Sequence, residues 1–281
     1  MRLNKALANA GICSRRKADE LILQGRVTIN GEVAADLGIR IRPGRDIIAV
    51  DGKPVAGAEE RIYLMMHKPV RTVCTVRDPE GRTTVMDMLP EQWQKFRLYP
   101  VGRLDFFSEG LLLLTNDGEF AQRLAHPRHH LPKVYHVRLR EKASQAQLDS
   151  MRRGMTLQEG DVLAPVEVEF LPWQGEGCLL QMTLHQGLNR QIRRMCRDLR
   201  LTVLRLMRVA QGPLRLGDLR RGAVRELSPQ EVRMLREAAC PDLVPPVRAD
   251  VKKRATTVGK MPPRQKKEYR ARAANTAPKV R

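Results

Sequence analysis

Apolar positions near the start of the chain change period, and each change marks an element. Leu3, Ala6, Leu7 and Ala10 recur at helical spacing and stop at Gly11; Ser14 then opens a second helix whose Ala18, Leu21 and Ile22 share one face until Gly25. Beyond Gly25 the period falls to two. Residues 26–33 predict a hairpin turning on Asn30-Gly31, and residues 47–53 a further strand that ends in an Asp51-Gly52 turn. Residues 54–60 are small or polar without periodicity, the composition of a hinge.

A second region begins near Arg61. Ile62-Tyr63-Leu64-Met65-Met66 has the pattern of a buried strand and runs into His67-Lys68-Pro69, while Asp78-Pro79-Glu80-Gly81-Arg82 is a turn. The strongest signal is Leu111-Leu112-Leu113-Leu114 closed by Thr115-Asn116-Asp117-Gly118. An unbroken apolar run ending in a turn predicts a short strand covered on both faces. Residues 120–126 follow as a short helix. Residues 132–139 alternate, with Tyr135, Val137 and Leu139 on one face, and helix and strand patterns recur through residues 143–151, 166–170 and 179–184. The mixture predicts an α+β chain: a small module over residues 1–55, a linker over 56–61 and a larger sheet-and-helix domain over 62–245.

Residues 246–281 have another character. Residues 247–281 carry twelve Lys or Arg against Asp250 and Glu268, a net of +10, and too little apolar material for a core. A disordered polycation is predicted there, adding salt-sensitive affinity for a polyanion without sequence choice. The whole chain of 281 residues has a net charge of +20 and a pI of about 10.5, which points to a polyanionic partner. Nucleic acid fits better than a membrane surface, since no apolar stretch is long enough to span a bilayer and no basic amphipathic helix dominates. Five scattered cysteines without Cys-x-x-Cys spacing predict reduced thiols in a cytoplasmic protein, and argue against a zinc ribbon or a disulfide framework. His126, His129 and His130 sit among Pro and Arg with no carboxylate nearby, which favours a basic loop over a metal site.

Two stretches carry candidate chemistry. In Val101-Gly102-Arg103-Leu104-Asp105-Phe106-Phe107-Ser108-Glu109-Gly110, a carboxylate stands on a glycine-flanked loop ahead of a rigid strand, the way a scaffold presents a reactive group. Such an Asp can equally cap its own turn or pair with Arg103. Asp105 and Glu109 also invite comparison with a glycosidase pair, but the intervening Phe106-Phe107 and the basic surface make sugar polymers a poor substrate. The second stretch is His185-Gln186-Gly187-Leu188-Asn189-Arg190-Gln191-Ile192-Arg193-Arg194-Met195. Gly187 and Asn189 suggest the start of a helix on which Arg190 and Arg194 are four apart while Arg193 points elsewhere. An arginine turned inward needs a carboxylate, and Asp105 is the candidate partner.

Residues 1–55 resemble the small alpha-L RNA-binding domain first described in ribosomal protein S-four. The match rests on Arg2-Leu3-Asn4-Lys5-Ala6-Leu7-Ala8, Ser14-Arg15-Arg16-Lys17-Ala18 and Gly25-Arg26-Val27-Thr28-Ile29-Asn30-Gly31. It makes Lys5, Arg15, Arg16, Lys17 and Arg26 candidate RNA contacts. Further on, Gly102-Arg103-Leu104-Asp105 with Ser108-Glu109-Gly110 and the leucine run, then Lys133-Val134-Tyr135, then Gly187-Leu188-Asn189-Arg190-Gln191-Ile192-Arg193-Arg194-Met195, resemble the three signature blocks of bacterial pseudouridine synthases of the ribosomal small-subunit type. The resemblance spans about residues 1–240. It departs from the family pattern at Leu188, where many relatives carry a polar residue, and at His185-Gln186.

The resemblance implies an rRNA isomerase with a mostly antiparallel sheet, working as a monomer without metal, nucleotide or redox cofactor. The family's essential Asp maps to Asp105, the Tyr that packs on the target base to Tyr135, and the Arg paired with the Asp to Arg193. Arg103, Asn189, Arg190 and Arg194 become candidate RNA contacts around them. Cys74-Thr75, Asp78-Pro79-Glu80-Gly81-Arg82 and Thr84-Val85 look more like the branch acting on large-subunit (23S) rRNA than on 16S rRNA, free or in an assembling subunit. The reading from another class is a non-catalytic rRNA-binding or ribosome-assembly protein. An Asp105, Tyr135 and Arg193 constellation argues against it, because a binding module has no need of an internal carboxylate facing an arginine.

Overall fold

The computed structural model describes residues 1–57, 59–125 and 131–239. The tail and the three clustered histidines singled out above lie outside the described residues.

The N-terminal module begins with α1 (Leu3–Asn9) and α2 (Arg15–Leu23). Ser14 ends its extended backbone by accepting from the Lys17 amide, satisfying one of the donors a helix start leaves open. Four short strands follow, β1 (Val27–Ile29), β2 (Glu32–Val33), β3 (Ile48–Val50) and β4 (Lys53–Pro54), in the order β2-β1-β3-β4. The two turns that reverse this sheet place Asn30, Gly31, Asp51 and Gly52 at positive φ, the backbone region where Asn, Asp and Gly are least strained. Pro54 closes the sheet opposite Ala49 instead of starting the hinge. Leu3, Leu7, Ile22, Val27 and Ile41 meet beneath the sheet as a core of their own.

The larger region is built on one nine-stranded sheet. Its first half comprises β5 (Tyr63–Lys68), α3 (Glu91–Gln94), β6 (Tyr99–Val101), β7 (Glu109–Thr115) and α4 (Gly118–Ala125). Its second half comprises β8 (Lys133–Leu139), α5 (Gln145–Arg153), β9 (Glu167–Leu171), β10 (Cys178–Leu184), α6 (Gln191–Asp198), β11 (Val203–Gln211), β12 (Leu214–Arg215), β13 (Val224–Glu226) and α7 (Pro229–Ala238). The main path runs β13-β5-β7-β11-β8-β10-β9, with β6 on β7 and β12 on β11. All pairs are antiparallel except β7 with β11, so the sheet is mixed and mostly antiparallel, as expected.

The leucine run sits at the centre of this sheet. Every residue of β7 is buried. Leu111 and Leu113 join Phe120, Leu124 and Leu235 on one face; Leu112 and Leu114 join Leu64, Met66, Val85 and Leu98 on the other. A third core, under β8 and β10, takes the inward faces of α5 and α6. The principal difference from the sequence reading is β11. Its nine residues join the two halves of the sheet, yet Arg205 and Arg208 interrupt its apolar pattern and hide it from a periodicity argument. The strand is further disguised by a register shift between Arg208 and Ala210, where one extra residue is accommodated against β8.

Candidate active site

Asp105 stands on the loop from β6 to β7. Gly102 turns the chain at φ +74°, and the Ser108 amide donates to the Asp105 carbonyl at 3.0 Å to close a tight turn before β7 begins. The loop is held from inside by Lys68, the last residue of β5. Its ammonium is fully buried and donates to the carbonyls of Pro69 (2.8 Å), Asp105 (3.2 Å) and Ser108 (2.8 Å). Three donors meeting three carbonyls explain how a lysine survives in the core: each N–H is satisfied although no carboxylate touches it.

Arg193 approaches from α6. Arg190, in the left-handed region at φ 49°, starts the helix so that Ile192, Met195 and Cys196 face the core. Arg193 then reaches the Asp105 loop: its Nε lies 3.9 Å from Asp105 Oδ2, and its Nη2 donates to the Phe107 carbonyl at 2.8 Å. Burial pulls this guanidinium below its ordinary range, and Asp105 opposes the shift by favouring the charged form. Arg194 behaves differently, binding Glu159 (3.1 Å) and Asp161, so it ties down the loop between α5 and β9.

Asp105 opens into a cavity of about 520 Å³. Gly102, Arg103 and Ser108 line it from the Asp105 loop, Lys133 and Tyr135 from β8, residues 185–188 and 190–192 from the approach to α6, and Arg208 and Gln211 from β11. The volume suits a nucleotide taken out of its stack. Arg103 and Arg190 are exposed as well as lining the cavity, where a phosphate backbone could meet them. Glu109 is not part of the lining; it is buried and engaged by Arg205 and Arg221, which leaves no second carboxylate paired with Asp105 among the described residues.

Sequence reasoning gave no role to Lys68, Lys133, Arg208 or Gln211. For Lys68 a signal was available: a Lys-Pro step directly after an apolar strand places the ammonium where the strand leaves the core. In the N-terminal module, Arg15 and Arg16 are exposed. Lys17 pairs with Glu20 (2.7 Å), Arg26 with Asp51 (2.5 Å) and Lys5 with Glu119. These are exposed or half-exposed surface pairs of small worth, which a phosphate can displace.

Burial brings the Lys68 pKa down to about 8, with neighbouring Cys74, Asp105 and Glu109 acting against the shift. Below that pH the ammonium serves three carbonyls; above it an amine has only two N–H groups to offer. Activity should therefore fall as pH rises through about 8, with the acid side unaffected by this group. Single-turnover rates between about pH 6.5 and 9 check this, and Lys68→Met should lose the alkaline limb along with part of its rate. An alkaline limb unchanged in Lys68→Met would assign it to another group.

Residues 1–47 match the S4 domain family and residues 62–198 the RNA pseudouridylate synthase family. An uncharacterized RNA pseudouridine synthase of Aquifex aeolicus is 42% identical over 246 residues, covering 87% of this chain and 97% of that protein. The ribosomal large subunit pseudouridine synthase B of Bacillus subtilis is 40% identical over 240 residues, 85% of this chain and 96% of the relative. A crystal structure of a pseudouridylate synthase superposes with a TM-score of 0.59 at 28% identity, covering 84% of this chain and 99% of the other. The chain belongs to the RNA pseudouridine synthase family, enzymes that isomerise uridine within RNA.

Proposed function

We propose that this enzyme converts a specific uridine of ribosomal RNA, in the large subunit, to pseudouridine, with Asp105 as the catalytic carboxylate. The observation that carries the reading is Asp105 at the cavity, 3.9 Å from the Arg193 guanidinium and on a loop whose carbonyls Lys68 holds. The large-subunit preference rests on the Bacillus subtilis relative named for that subunit. The reaction breaks the C1′–N1 bond, turns the base and rejoins it through C5, so it needs a nucleophile or proton acceptor at the sugar and a surface that keeps the detached base. Asp105, beside the Arg193 guanidinium, serves the first need. Tyr135 offers a ring for the base and a hydroxyl near the moving protons. Residues 1–55 act as the RNA-holding module and 62–245 as the isomerase domain, joined by 56–61, with the basic residues 246–281 adding unspecific affinity. Lys5, Arg15, Arg16, Lys17 and Arg26 meet RNA from the first module; Arg103, Asn189 and Arg190 do so around the cavity. Arg194 contributes by fixing its loop.

Unmodified 23S and 16S transcripts incubated with the purified enzyme, then mapped by carbodiimide treatment and primer extension, test this. A new stop in 23S rRNA alone, absent with Asp105→Asn, is the expected outcome. A stop in 16S rRNA would move the substrate to the small subunit. Salt-dependent binding without a stop in free RNA or assembling subunits would favour the binding-protein reading.

A further inference from the structure

The cavity wall contributed by β8 and β11 holds two cations that no anion among the described residues neutralises. Arg208 is 3% exposed; its Nε donates to the Leu111 carbonyl at 2.7 Å, and its Nη2 has no hydrogen-bond partner. Lys133 is half-buried, and among the described residues its Nζ donates only to the Leu131 carbonyl at 3.2 Å. Among the described residues neither has a carboxylate within ion-pair distance, whereas Arg193 has Asp105, and Arg205 and Arg221 have Glu109. Beside them Gln211, also 3% exposed, keeps its Oε1 unpartnered. Burial, then the nearby Arg208 charge, lowers the Lys133 pKa, as expected for a cation held without a counter-charge.

The sheet register puts these groups together. Tyr135 lies opposite Arg208, and Lys133 opposite Gln211. Arg208 and Gln211 are three residues apart, so a regular strand would send them to opposite faces; the irregularity at Val209 brings both to the face carrying Lys133 and Tyr135. All four side chains line the cavity next to Asp105. A buried guanidinium with an open donor destabilises the empty protein, a feature retained where a ligand supplies the missing partner.

Resting on the reading of the site given above, we propose that Arg208 and Lys133 form an anion subsite for the detached uracil. When the C1′–N1 bond breaks, its electron pair leaves with the base, and the negative charge spreads from N1 onto O2 and O4. Arg208 Nη2 and Lys133 Nζ donate to those oxygens, and the Gln211 amide supplies a partner for N3–H. The charge is consumed when C5 bonds to C1′; the C5 proton is then lost and N1 gains one, so atoms and electrons balance without a co-reactant. The same cationic chemistry would also suit a backbone phosphate, and the test separates the two sources.

The experiment compares single-turnover cleavage of the glycosidic bond in target RNA carrying uridine or 5-fluorouridine, whose base is the more stable anion. Arg208→Met should slow uridine turnover by roughly 10²-fold, the scale for losing one preorganised donor to a developing anion. The loss should be smaller for 5-fluorouridine, and Arg208→Lys should recover part of it. RNA affinity and its salt slope should be unchanged. Equal losses for both bases overturn the proposal, as does a loss expressed as weaker binding with a salt slope lower by about one, the mark of a phosphate contact. Lys133→Met, at a half-buried position, is the second variant and decides the matter if Arg208→Met melts early. If the wild-type enzyme converts no RNA, the reading beneath the proposal fails instead, and that outcome is visible before any variant is compared.

Discussion

Asp105→Asn is expected to reduce pseudouridine formation by roughly 10³-fold or more, the scale on which removal of an essential nucleophile acts. The change is nearly isosteric, so shape is kept while the charge that attacks, or accepts a proton, is lost. It also leaves Arg193 without a counter-charge in a partly buried site; its contact with the Phe107 carbonyl persists. RNA binding should therefore stay within a few-fold of wild type, because the basic surface proposed to meet phosphate is untouched. The measurement is a single-turnover rate beside a binding isotherm at one salt concentration. A variant that bound normally and turned over within about tenfold of wild type would remove Asp105 from the chemistry.

Gly110→Ala should have the largest effect on stability. Gly110 lies in the parallel contact of β7 with β11, where it faces Arg208 at φ +110°. A methyl group there would lie 2.2 Å from the Arg208 carbonyl oxygen and 2.6 Å from its amide nitrogen, and both obstacles are backbone. Neither can move without separating the two strands on which the cavity rests. A loss of about 4 kcal/mol or more is expected, enough to leave most of the chain insoluble or unfolded at growth temperature. Gly102→Ala is the control, since it shares a positive φ of +74° but has open space around it; it should cost only about 1–2 kcal/mol. Urea unfolding of both variants distinguishes them, and similar midpoints would show that crowding at Gly110 is tolerated.

The parts legible in the sequence were those set by neighbours along the chain. Four leucines ending at a turn gave β7, and Ser14 with its downstream apolar spacing gave α2, because caps and periodicity are local. The different directions of Arg193 and Arg194 were accessible for the same reason, since successive helix residues are about 100° apart around the axis. Arg208 was opaque, and Lys68 was marked only by the Lys-Pro step at the end of its strand. Local reasoning assigns a charged residue in or at the end of an apolar strand to solvent. The burial of both depends on carbonyls contributed by distant turns and strands. The extra residue at Val209 leaves no local trace either, yet it determines which face Gln211 occupies.

The order of strands in the large sheet also governs when the enzyme can first exist. Asp105 and β7 leave the ribosome early, but β7 finds its partner β11 at residues 203–211, and β5 waits for β13 at 224–226. A nascent chain that has emerged only as far as α5 carries the loop of Asp105 without Arg193, Arg208 or the strand that completes the cavity floor. Such distant pairings are slow to form, because the intervening chain must be ordered before they can stabilise it. Catalytic competence is thus a late event in the chain's synthesis, and a transcript beside the translating ribosome meets an RNA-holding module before it meets an enzyme.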